Sequence, residues 1–244
     1  MSRHFDSKDR EIMDDPSTPV AELERAIDAL TAANRRFGSH RLVRRFLARW
    51  MNPGRCYRVL DLCTGAGDLP RAMVNWARAR DITLRIDAID ANPNVIALAR
   101  TRSGDFPEIH YECADVLREV PGEGYDLVHC SLALHHFSDT DAARVLVRCR
   151  EMSSRWTLAS DLERHPITTA AVWALTAFMR SAVAAHDGRI SARHAFSYAE
   201  MRELAVAAGW QNFGHARCLW CRQAVWLENR DLAGIPLVEA PGLA

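Results

Sequence analysis

The residues best equipped for chemistry are carboxylates gathered around one glycine-rich stretch, Val59-Leu60-Asp61-Leu62-Cys63-Thr64-Gly65-Ala66-Gly67-Asp68. It reads as a short apolar strand running into a turn, with a helical pattern over Leu69–Arg80 behind it. Glycines in such a turn permit positive φ and let backbone amides approach a ligand closely. A dinucleotide site is the first candidate, but its fingerprint needs a third glycine where this chain has Pro70. A pyrophosphate at the helix N-terminus would also meet Asp68 as a like charge. A ligand with a positive amine and no phosphate suits Asp61 and Asp68 better. Asp90 and Asp115 follow further on, and the adjacent His135 and His136 could supply a general base, since an unperturbed imidazole titrates near neutrality. Pocket shaping is the plainer role for that pair, because bringing two reactants together can suffice.

These side chains need a frame. From Cys56 the pattern alternates strand and helix: strands over Tyr57–Leu62, Thr83–Ile89, Ile109–Cys113, Tyr125–Ser131 and Trp156–Ser160, with helices over Asn94–Arg102 and Thr140–Met152. Such alternation implies a parallel sheet covered on both faces, with ligands beyond the carboxyl ends of the strands. Asp61, Asp90 and Asp115 then project from one rim. A carboxylate after the second strand suits the two hydroxyls of a ribose. One after the third suits an exocyclic adenine amine, and one at the glycine turn a positive amino group. Together they describe a nucleoside with a cationic tail.

Two amphipathic helices precede this frame. Thr18 is placed to cap the first, with Pro19 at its start and Val20, Leu23, Ile27, Leu30 and Phe37 on one face. Ser39 is placed to cap the second, and residues 1–17 read as a loosely ordered lead-in. After the fifth strand Ile167–Ala185 reads as one helix, apolar on almost every face. Such a helix is either simply packed, or lines an apolar pocket or a dimer contact through Trp173 and Phe178.

The 244 residues suit one α/β domain with additions, or two small domains. Lys+Arg and Asp+Glu balance at 31 each, which lacks the basic excess of a dedicated nucleic-acid binder. Seven cysteines in no framework spacing, and no secretory leader, suggest free thiols in the cytoplasm. The longest apolar run is too short to span a bilayer. Cys218 and Cys221 lack a second ligand pair, so no metal site is expected.

The chain from about 55 to 230 resembles the class I S-adenosylmethionine-dependent methyltransferases, and Leu134-His135-His136-Phe137 is similar to the quinone-biosynthesis-like branch. Asp61–Pro70 resembles bacterial relatives associated with polyketide synthases. The resemblance implies a Rossmann-like α/β fold: a mostly parallel seven-stranded sheet with an antiparallel C-terminal hairpin, for which Trp210–Arg217 and Leu219–Glu228 are suited. It implies an N-terminal helical cap over 1–54, a methyltransferase domain over 55–230 with a lid insertion at about 163–196, and a tail over 231–244. It assigns S-adenosyl-L-methionine to Asp61, Cys63, Thr64, Gly65, Gly67, Asp68, Asp90, Ala91, Asn92, Ala114, Asp115, Val116, Ser131 and Leu132. It places His135 and His136 at the methyl-transfer site, with His136, Trp173 and Phe178 toward the substrate. Cys63 stands where the family often has a glycine. The implied reaction is methylation of a small, fairly apolar acceptor, phenolic or quinone-like, most simply at oxygen. The alternatives are RNA or protein methylation, for which the loop after the fourth strand lacks an Asn-Pro-Pro-aromatic sequence, and donor binding without catalysis.

Overall fold

The computed structural model describes residues 3–229 apart from 4, 7, 8, 10, 16, 119–121, 123, 178–180 and 219–220. Phe178, Leu219, Trp220 and the expected tail lie outside the described residues. Two helices lead into the sheet, α1 (Val20–Arg36) and α2 (Ser39–Trp50). Neither expected cap acts as one. The Thr18 hydroxyl turns back to donate to the Ile12 carbonyl at 2.5 Å. Gly38, with φ of +94°, makes the bend between the helices, so Ser39 becomes a buried first residue of α2 facing Asn34. Leu23 and Ile27 are buried, whereas Val20 and Leu30 face outward.

The sheet begins with β1 (Cys56–Leu62), which feeds through the glycine turn into α3 (Asp68–Arg78). Then come β2 (Thr83–Asp90), α4 (Pro93–Arg102), β3 (Ile109–Cys113), β4 (Tyr125–Ser131), α5 (Asp139–Met152) and β5 (Ser153–Leu162). β1 to β5 run parallel in the order β3-β2-β1-β4-β5. The strand order reverses between β1 and β4, which opens a crevice at the carboxyl ends of those strands. Both faces of β1 are apolar, as burial on two sides requires. Tyr57 and Val59 join the core under α2 and α3, while Leu60 and Leu62 join the core under α5.

After β5 the expected single helix is two. Pro166 starts α6 (Pro166–Thr176), and a separate α7 (Ala182–His194) begins where the Ser181 hydroxyl accepts from the Ala184 amide. The buried residues of α6 are the polar Thr168 and Thr176, and its apolar Ile167, Trp173 and Leu175 face outward. Then α8 (Tyr198–Ala207) leads to an antiparallel pair, β6 (Gly214–Cys218) and β7 (Arg222–Glu228), with β7 against β5. β6 starts later than expected because Trp210 is spent in the core, its indole N–H donating to the Leu146 carbonyl.

The lead-in is tied down. The buried Asp187 carboxylate of α7 accepts the backbone N–H groups of Ile12 and Met13 at 2.8 and 3.0 Å. The Arg3 guanidinium packs over Phe196 and donates to the carbonyls of Phe137 and His194. It also pairs with Asp139. Two backbone amides and one guanidinium thus tie Ile12, Met13 and Arg3 to α7 and to the segments that follow β4 and α7.

Candidate active site

Each parallel strand of the crevice delivers a polar side chain to the same rim. Asp90 is the last residue of β2, and its two oxygens accept the amides of Gly65 (2.9 Å) and Asn92 (3.0 Å). This bond fixes the glycine turn against β2. At Gly65, with φ of +57°, no described atom lies within 4 Å of where a Cβ would sit, so the backbone faces open space. Gly67 is different: a Cβ there would lie 2.1 Å from the Tyr111 hydroxyl. One glycine therefore leaves room at the crevice and the other allows close packing of the turn on β3.

Asp115 lies two residues past β3, half-buried, and accepts the Leu117 amide at 2.9 Å. Ala91 is exposed, Ala114 half-buried and Val116 buried. At the end of β4, Ser131 shares a hydroxyl contact with Ser160 at 2.9 Å, and Leu132 turns the chain with φ of +55°. Cys63 takes φ of +54°, a value that a non-glycine residue adopts at some cost. Its thiol rests on Cys130, and that contact together with burial raises it well above an ordinary thiol. It is a neutral group, not a nucleophile.

Asp61 and Asp68 do not stand free for an amine. Asp61 is buried; His129 Nδ1–H donates to it at 2.5 Å and the Thr64 hydroxyl at 2.6 Å. Asp68 turns toward the N-terminal helices, where His40 Nε2–H donates at 3.0 Å and Asn34 at 3.3 Å. The Asn92 side chain caps α4 and donates to the Met13 carbonyl, so it binds the lead-in as well.

The histidine pair sits in a short 3-10 turn after β4, Leu134–His136. His135 Nδ1–H donates to Asp161 at 2.6 Å, and its backbone amide donates to the other Asp161 oxygen at 3.0 Å. His136 Nδ1–H donates to Asp14 at 2.8 Å. Between the two Nε2 atoms lies Glu11, its oxygens 3.5 Å from His135 and 3.8 Å from His136. Burial alone would push the Glu11 carboxyl up, but His136 and His135 override it and hold it at about 2. Burial likewise opposes charge on His136, and Glu11 and Asp14 reverse that, raising the ring well above an ordinary histidine. These charges favour the protonated, positive form of the ring, which has no free nitrogen to take a further proton. The cluster borders the donor side: burial raises the Asp90 carboxyl, and Asp14 and His136 are among the charges it feels.

Sequence reasoning missed Glu11, Asp14, Asp161 and His129. Asp161 had a signal, since it follows the expected fifth strand at the same rim as the other aspartates. Glu11 and Asp14 had none, because their neighbours in space are far along the chain. Trp173 stacks with the Arg189 guanidinium at 4.3 Å and is half-exposed.

A seven-stranded sheet ordered in this way, with acidic residues at the ends of β1, β2 and β3, is the fold of class I S-adenosylmethionine-dependent methyltransferases. Residues 59–154 match the model of a family described as a methyltransferase domain. No curated protein matches the chain in sequence. Among solved structures, the plantazolicin methyltransferase BamL, determined with a triazolic desmethylPZN analog and SAH, is 13% identical with a TM-score of 0.69, over 92% of this chain and 97% of that one. Magnesium protoporphyrin IX methyltransferase (ChlM) from Synechocystis PCC 6803, with bound SAM, is 16% identical with a TM-score of 0.58, over 93% and 98%. Human N-acetylserotonin methyltransferase, in complex with SAM, is 18% identical with a TM-score of 0.62, over 85% of this chain and 56% of that one. Over residues 59–154 the chain thus matches a methyltransferase domain, and as a whole it shares the fold of these methyltransferases.

Proposed function

We propose that the protein transfers the methyl group of S-adenosyl-L-methionine to a hydroxyl of a small, fairly apolar acceptor, phenolic or quinone-like. The observation that carries this reading is the meeting of Glu11, Asp14, His135 and His136 beside Asp90. A hydroxyl entering there gives up its proton to solvent, and positive charge at His136 stabilises the phenolate that remains. The oxygen then attacks the sulfonium methyl in line, and the protein contributes position and exclusion of water.

On the donor side, Asp90 takes the ribose hydroxyls and Asp115 the adenine amine. The backbone from Cys63 to Gly67, with Ala91, Ala114, Val116, Ser131 and Leu132, surrounds the rest. Asp61, Asp68, Thr64 and Asn92 act one step back, by fixing the turn and the cap that contact the donor. The named acceptors of the similar structures, plantazolicin, magnesium protoporphyrin IX and N-acetylserotonin, support a small molecule, and the balanced charge of the chain weighs against nucleic acid. The reading has the enzyme work in the cytoplasm, where its cysteines stay reduced, and among the described residues no helix is long and apolar enough to cross a membrane.

A screen of phenols, quinones and amines with methyl-labelled donor tests this. The expected result is label in a methoxy group of a phenolic product. Label found only on amines, or salt-dependent labelling of RNA, would replace this acceptor with another. Donor binding without transfer to any acceptor would make the protein a non-catalytic binder.

A further inference from the structure

The cluster of Glu11, His135 and His136 is built from two different ends of the chain, and its atoms have a consistent direction. A carboxylate can only accept, so the short contacts to Asp161 and Asp14 assign the Nδ1 protons of both histidines. The Nε2 atoms then both point at one carboxylate. Glu11 Oε1 lies 3.5 Å from His135 and Oε2 3.8 Å from His136, and one ligand atom from each of the three residues falls within a 4.8 Å span. Glu11 and His135 are buried, so water does little to screen this arrangement. Two nitrogen lone pairs and a carboxylate aimed at one point repel one another unless something positive lies between them. A proton on the His136 ring alone answers it at one Glu11 oxygen only, and protons on both rings would put two like charges on rings whose centroids are 4.3 Å apart. A single divalent ion answers it without that repulsion.

We propose that Glu11, His135 and His136 form a divalent transition-metal site, with Asp161 and Asp14 orienting the two histidines from behind. Two histidines and one carboxylate are a recurrent ligand set for zinc and for other first-row divalent ions. A ligating histidine characteristically donates its second ring N–H to a carboxylate, which fixes its tautomer and strengthens it as a ligand. Here both do. An ion held about 2.0–2.2 Å from each ligand atom needs only a modest tightening of the three side chains. Three protein ligands leave coordination positions for an outside oxygen, the pattern of a catalytic rather than a structural site. The use of that open position rests on the proposed acceptor site: a metal-bound hydroxyl loses its proton more readily, and the positive charge facing the acceptor is then the ion's. The ion-binding claim itself does not depend on the acceptor.

The test uses the full-length chain, stripped with a chelator and titrated with cobalt(II) and with zinc(II), without acceptor. The expected result is one ion per chain, a visible d–d absorption from cobalt, and its displacement by zinc. Glu11→Gln and His136→Asn should weaken binding by at least a hundredfold. Asp14→Asn, at a more exposed position, should weaken it about tenfold to a hundredfold while the cobalt band persists. Unchanged melting temperature of Asp14→Asn keeps the comparison valid if a buried variant fails to fold. Absence of stoichiometric binding overturns the site, as does binding that is equally tight in Glu11→Gln, His136→Asn and Asp14→Asn. Transfer activity in the labelled-donor screen with no metal bound would leave the proposed reaction standing and overturn the ion's part in it, while the cobalt titration decides the site itself.

Discussion

At the scale of single residues, the proposed donor side and the proposed acceptor side differ in how their charges are held. Asp90 is stabilised by two backbone amides and faces the crevice. Asp90→Ala should reduce affinity for the donor or its demethylated product about tenfold to a hundredfold, since hydrogen bonds to a charged group contribute roughly 1.5–3 kcal/mol. Calorimetric titration measures this, and an unchanged Kd would remove Asp90 from the donor site. Asp90 and Asp115 were legible in the sequence because a strand end and a rim position follow directly from apolar runs. Asp61 and Asp68 were legible as positions and misread in direction, since a one-dimensional pattern does not show that His129 and His40 claim them. Glu11 was not legible at all. It sits in a polar lead-in without periodicity, and what gives it meaning is a pair of histidines far downstream.

At the scale of elements, the parallel strands were easy to read because burial on both faces makes them continuous apolar runs bounded by turns. The pair α6 and α7 was not, because the chain carries no proline or glycine at the break, only Ser181 as a cap. Alanines and apolar residues run through it without choosing a face, and the resulting α6 buries threonines while Ile167, Trp173 and Leu175 look outward. This inversion is what makes α6 a candidate for contact with an apolar acceptor or with a second copy of the chain. Trp173→Ala should raise the acceptor KM several-fold and leave donor affinity as it was. Steady-state kinetics with each substrate varied in turn distinguish this from equal loss of both, which would mean a packing role. Loss of self-association in that variant, with kinetics intact, would assign the face to a second copy instead.

At the scale of the whole molecule, stability is expected to depend on pH through groups remote from the rim. His215 on β6 stacks on Tyr198 at 3.7 Å and its Nε2–H donates to Gln223. Its Nδ1 is buried with no hydrogen-bond partner among the described residues. Burial lowers its pKa below the ordinary 6.5, against the Gln223 bond, with Arg202 and Arg217 adding to the depression. The unfolded chain therefore takes up this proton at higher pH than the folded one, and stability falls as pH drops through 6.5 toward the lower folded value. Urea unfolding above and below that pH should show a smaller acid-side loss in His215→Phe than in the wild type; identical pH slopes would exclude His215 as the source. A different long-range feature governs how the molecule comes together. The proposed donor rim from Asp61 to Asp115 is built from neighbouring strand–turn–helix units. The cluster of Glu11 with the two histidines depends on contacts such as Ser191 to Glu11, 180 positions apart, and Asp187 to Ile12, 175 apart. Joining such distant segments costs more loop-closure entropy than joining neighbours, so these contacts are expected to form late in folding. On the proposed sites, a half-refolded chain is then expected to acquire its grip on the donor before it has a place for the acceptor, and Glu11 finds its use only once α7 and the histidine pair are in position.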